Sequence, residues 1–169
     1  MNTASVHYHI GTKRDLVAAI IDTRTDELGE QRAKFLEVIE SMLRPSVRKI
    51  AEAMVLPAAE RTAKRGGRSY VGFLAAVGTH PDYADMVSEL TDKHAVRLVE
   101  AYAKAAPTVP EGVRAFRYAL AKVMINQAYG QLGVGVRLWV DRHAPGGDVD
   151  FTERLIDAIA GLLRAPSSV

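Results

Sequence analysis

Apolar side chains recur every three or four positions along nearly the whole chain, and no run alternates strictly between apolar and polar residues. The pattern predicts an all-α protein whose breaks fall at glycine and proline. A first, short helix spans about Thr3 to Ile10. Gly11 suits the left-handed position that closes a helix. Thr12, with Asp15 three residues later, has the spacing of a capping box. The next helix is predicted from Lys13 to about Leu43, with Leu16, Ile20, Leu28, Phe35, Ile39 and Met42 along one stripe and Pro45 beyond its end. A third covers about Ser46 to Ala63, with Pro57 inside it. KRGGR at 64–68 reads as a loop. Further helices are expected near Ser69–Gly78, from Pro81 to about Ala105, from Glu111 to about Arg142, and from about Asp150 to Arg164 before a frayed tail.

The faces of these helices carry more than their lengths. On the first, Val6 and Ile10 make a narrow apolar seam, while Ala4, Ser5, His7, Tyr8 and His9 spread over the other side. Such a face suits either solvent or a DNA groove. Small residues permit close approach to bases, and tyrosine and histidine can donate to phosphates. Lys13, at a helix start where free backbone N–H groups favour phosphate, adds charge. On the last helix, Phe151, Leu155, Ile156, Ile159, Leu162 and Leu163 span an arc of about 140°. That exceeds the stripe needed to face a single core. The predicted helix before it ends in YGQLGVGVRLWV, poor in charge and rich in glycine. Each glycine costs a helix roughly 1 kcal/mol relative to alanine, and close helix–helix approach would offset that cost. Two such helices from each of two subunits would form an isologous four-helix interface, with Leu132, Val136, Trp139, Leu155, Ile159 and Leu162 near it.

Composition narrows the classes. With 48% hydrophobic residues in 169 positions, the chain can bury the core of about one domain. The net charge of +2 is too small to argue for nucleic acid by itself. There is no cysteine, which excludes disulfides, thiolate metal sites and a cysteine nucleophile. His7 and His9 point to nearly opposite helix faces, and His80, His94 and His143 are far apart in sequence, so no metal site is expected. No phosphate-binding loop and no catalytic triad motif appears, so neither a cofactor nor an enzyme activity is expected. No long apolar run and no signal-peptide core is present, which predicts a cytoplasmic protein without membrane contact.

The stretch TASVHYHIGTKRDLVAAI resembles the end of the helix-turn-helix in the TetR family of transcriptional regulators. Tyr8-His9 match an aromatic and a histidine of that pattern, Gly11-Thr12-Lys13 its Gly-Ser-Lys, and Asp15-Leu16 its acid and leucine. His7 stands for the first aromatic and Ile10 for the usual phenylalanine. The resemblance implies a TetR-like helical bundle, an Ω-shaped homodimer, and a ligand-responsive regulator, most simply a repressor. Operator DNA would be contacted by Thr3, Ala4, His7, Tyr8, His9 and Lys13. Residues 1–43 would be a remnant of the DNA-binding domain with its connecting helix, and 44–169 a ligand-binding and dimerisation domain. Two further helices precede this stretch in the family. The chain is therefore expected to lack most of its DNA-binding domain, by truncation or by a start codon assigned too far downstream. The resemblance also implies a pocket for a small apolar effector among the middle helices. Met54, Phe73, Met86, Tyr102 and Met124 are candidates, with Gln127 and Asn126 interrupting an apolar run. The alternative is a helical carrier or interaction module with no DNA role. Coding sequence in frame upstream of Met1 separates the two readings.

Overall fold

The computed structural model describes residues 11–92, 95–130, 132–144 and 150–166, with the side chains of 26–28, 92 and 132 outside that description. These residues form eight α-helices: α1 Lys13–Glu40, α2 Val47–Ala63, α3 Gly67–Val77, α4 Ala84–Asp92, α5 Val96–Ala105, α6 Glu111–Tyr129, α7 Leu132–His143 and α8 Phe151–Arg164. Among the described residues there is no strand. The predicted first helix, Thr3 to Ile10, lies outside the described residues.

Local chemistry sets the helix starts. Gly11 has φ 80, and Thr12 caps α1 with the anticipated box. The Asp15 N–H donates to the Thr12 hydroxyl at 3.2 Å, and the Asp15 carboxylate accepts from the Thr12 N–H at 2.7 Å. The Thr12 hydroxyl and backbone N–H together hold the Asp15 carboxyl below its ordinary range. Ser46 caps α2 and Asp150 caps α8 with the side-chain oxygen alone, accepting from backbone N–H groups of the first turn.

Two predicted helices are broken in the structure. The segment expected from Pro81 to Ala105 becomes α4 and α5, with Pro81 in the preceding turn. The reason is that its halves serve different cores. Met86 and Val87 of α4 join Val17 and Ile21 of α1 and Tyr70 and Leu74 of α3 in a small cluster. Leu98, Ala101 and Tyr102 of α5 join the main core. One straight helix could not reach both. The segment expected from Glu111 to Arg142 becomes α6 and α7, because Gly130 is extended, at ψ −152. Here a Cβ would stand 2.9 Å from the Asn126 carbonyl oxygen and 3.5 Å from Ala75, so α6 ends hard against α3 of the same chain. At Gly133 a Cβ would meet the Ala128 carbonyl oxygen at 1.8 Å. These two glycines serve a fold within the chain.

The main core surrounds α2, which touches α1, α3, α5, α6 and α8. Ile50, Ala51, Ala53, Val55 and Pro57 of α2 are fully buried. Arg48, at its start, pairs with Glu153 and Asp157 of α8. Arg97 of α5 holds Glu40 at the end of α1 with a two-pronged contact, at 3.0 and 2.7 Å. Tyr102 is fully buried, and its hydroxyl donates to the Leu163 carbonyl at 2.7 Å, which ties α5 to the end of α8. Burial raises the Tyr102 hydroxyl above the ordinary tyrosine range, with Arg117 acting the other way.

Replacing Tyr102 by phenylalanine removes this bond and leaves a buried carbonyl short of a donor. The expected loss is about 1–2 kcal/mol, read as a lower urea midpoint with an unchanged slope.

Candidate functional site

Where the main core and the small cluster meet, the helices do not close on one another. A cavity of about 660 Å³ remains between α1, α2, α3, α4, α5 and α6. Its floor is contributed by both sides of the seam: Leu74 and Val87 from the small cluster, and Met54, Val71, Tyr118 and Ile125 from the main core. Its rim carries the exposed residues Ser88, Val96, Glu100, Ala115, Ala119 and Val123. The cavity therefore opens between α4–α5 and α6. A space of this size suits a small organic molecule.

The walls are mostly alanine, valine, leucine, isoleucine and glycine, with polar groups at separate points. On α1 these are Thr25 and Arg32; on α4, Ser88 and Thr91; on α6, Lys122, Asn126 and Gln127. The Thr91 hydroxyl donates to the Val87 carbonyl at 2.7 Å, and the Lys122 amine lies 3.4 Å from that hydroxyl. Among the described residues no group of three or more metal-binding side chains occurs. No helix among them is long and apolar enough to cross a membrane.

A family model described as the tetracyclin repressor-like C-terminal domain matches residues 52–161, more than half of the chain. The chain belongs to the TetR family. No curated protein and no solved structure matches it. The TetR match runs from within α2 into α8, so it includes the cavity's α3–α6 walls and leaves out the α1 wall.

Of the residues singled out in sequence as effector ligands, Met54 and Gln127 line the cavity. Met86 is buried in the small cluster, and Phe73 packs against that cluster from its edge. Met124 packs on the main core, and Tyr102 is committed to Leu163. Apolar composition suits a core as well as a cavity, which is why the five apolar or aromatic candidates were not separable by type. Sequence reasoning missed Thr25, Arg32, Thr91 and Lys122. The first two had a signal. At 100° per residue, Ile21, Leu36 and Ile39 define the inner stripe of α1, and Thr25 and Arg32 fall within it.

Of the proposed DNA contacts, Lys13 is exposed at the first position of α1, while Thr3, Ala4, His7, Tyr8 and His9 lie outside the described residues. Of the proposed interface residues, Val136 and Trp139 are exposed on α7, the latter at 63%. Leu155 and Leu162 are half-buried at the edge of α8. Ile159 is fully buried in its own chain's core, since α8 turns Ile156, Ile159 and Leu163 toward α2 and α6. The Leu132 side chain is outside the described residues.

Ala119 stands on the rim, where a large side chain projects into the opening without disturbing the core. Ala119→Trp is expected to weaken binding of the neutral dye N-phenyl-1-naphthylamine about tenfold, or ~1.4 kcal/mol, with an unchanged melting temperature. Fluorescence titration and thermal unfolding check the two halves of this statement.

Proposed function

We propose that this TetR-family chain is the sensing part of a ligand-responsive transcriptional regulator, with the cavity as its effector site. The reading is carried by one observation. Leu74 and Val87 belong both to the cavity wall and to the cluster that holds Val17 and Ile21, in the first turns of α1. Arg14 of α1 also donates to the Asp82 carbonyl just before α4. The start of α1 directly follows the stretch that resembles a recognition helix. A ligand that displaces α3 or α4 would therefore move the start of α1 with them. Operator half-sites have a fixed spacing, so a small shift of the reading helices costs affinity. The domain division at about residue 43, repression as the sign of the response, and a regulator in place of an enzyme all belong to this reading.

The test is a mobility-shift titration of a chain carrying the whole helix-turn-helix, with and without ligands that displace dye from the cavity. Saturating ligand is expected to change operator affinity by roughly 5–150-fold. Unchanged affinity with every cavity ligand would overturn the reading.

The same proposal includes a homodimer. Helix α7 exposes Val134, Val136, Leu138 and Trp139, and α6 exposes Phe116, Leu120 and Val123 along one stripe. On α8, exposed Ala158 sits between half-buried Leu155 and Leu162. These exposed apolar side chains are the material from which an isologous contact between two copies would be built. Ala158→Glu puts a charge among them without touching the core. Sedimentation velocity is expected to show a monomer at concentrations where the parent chain is a dimer. A dimer retained by the variant would remove α8 from the interface.

A further inference from the structure

The α1 wall of the cavity carries two polar groups that their own chain leaves unused. Thr25 is only 6% exposed, and its hydroxyl has no hydrogen-bond partner. A helical threonine ordinarily satisfies its hydroxyl on a carbonyl three or four residues back. Thr23, Thr62 and Thr91 do so here, on Ala19, Ala59 and Val87. Half-buried Arg32 keeps its Nε out of solvent with no acceptor. Both residues line the cavity.

They lie seven residues apart on the inner stripe of α1, about 10 Å along its axis. Helical side chains lean toward the N-terminus, which carries the guanidinium toward Thr25. Arginine does not shed its proton, so it cannot escape burial by becoming neutral. Holding even one edge of that charge out of solvent without an acceptor costs more than an apolar side chain of the same size. Core packing alone gives no reason for an arginine on this stripe.

Across the cavity stands Lys122, also half-buried, while the acidic Glu100 is exposed on the rim. The half-buried charges on the walls are thus both positive. The apolar part of the same lining includes Met54, Val71, Leu74 and Ile125.

We infer that the cavity takes an apolar organic acid, its carboxylate held by Arg32 and Thr25 and its hydrocarbon body laid against Met54, Val71, Leu74 and Ile125. The planar fork of the guanidinium and the threonine hydroxyl both donate to carboxylate oxygens. A cationic or purely hydrocarbon ligand leaves Arg32 as it stands. This inference rests on the effector-site reading, and Thr25 and Arg32 lie outside the part of the chain that the family model matches.

Displacement of N-phenyl-1-naphthylamine by decanoate, decan-1-ol and decylamine tests it on the whole chain. Decanoate is expected to displace the dye at concentrations at least about tenfold below those of decan-1-ol, with decylamine weakest. Arg32→Met should abolish that preference, Arg32→Lys restore part of it, and Thr25→Val reduce it, while decan-1-ol competes equally with all four proteins. Equal displacement by acid and alcohol, or a preference for the acid that survives Arg32→Met, overturns the inference and leaves the effector site standing. A dye that does not bind, or that binds the Ala119→Trp protein equally well, overturns the site and the inference together.

Discussion

The burial of α2 is the constraint on which the remaining architecture depends. A helix with Ile50, Ala51, Ala53, Val55 and Pro57 all out of solvent must be covered around more than half of its circumference. Five other helices meet that demand. Its charged start is accommodated because Arg48 finds two carboxylates on α8, and its end because the Arg61 guanidinium lies 5.6 Å from the centre of the Tyr70 ring. The helices that cover α2 have fixed directions once these ends are placed. What they enclose elsewhere follows from those directions.

The cavity is one such consequence. Helices α4 and α5 are adjacent in sequence but answer to separate apolar clusters, so they diverge where the clusters meet. The side chains facing that seam are too small to fill it: Ala58, Ala75, Ala84, Ala95, Ala115 and Ala119 all line the space. A domain selected for stability alone would set larger residues there, since each unfilled methyl volume sacrifices packing. Small residues on four helices, α2, α3, α4 and α6, face one volume and leave it open.

Much of the fold was legible because it is decided locally. The 3.6-residue period of apolar positions identified the helices, and Thr12–Asp15 and Asp150 behaved as their side-chain chemistry requires. The breaks between α4 and α5 and between α6 and α7 were less legible. The first depends on which cluster each half meets, and the second on one backbone torsion at Gly130 set by its contact with α3. Neither is encoded within a single helical stripe. For the cavity, hydrophobic type was a poor guide: Met54 faces it while Met86 is packed away. Polar residues out of place are a better guide: Asn126 and Gln127, which interrupt an apolar run of α6, both line the cavity, and the same signal was there to be read on α1. Thr25 and Arg32 interrupt the inner stripe of α1, and a residue that breaks a burial pattern carries more information than one that fits it.

Helix α6 presents two neighbouring faces, a cavity wall and an exposed apolar stripe, and Val123 belongs to both. On the proposed reading, a substitution there would be felt twice, once by an effector in the cavity and once by a second copy on the stripe. Evolution cannot adjust the two properties independently at that position. Ala75, Thr79 and Ser88, on the α3 and α4 walls, lie away from that stripe. On that reading, a new ligand preference is reached at less cost by substitution on the α3–α4 side than on the α6 side, where the same change also alters the stripe.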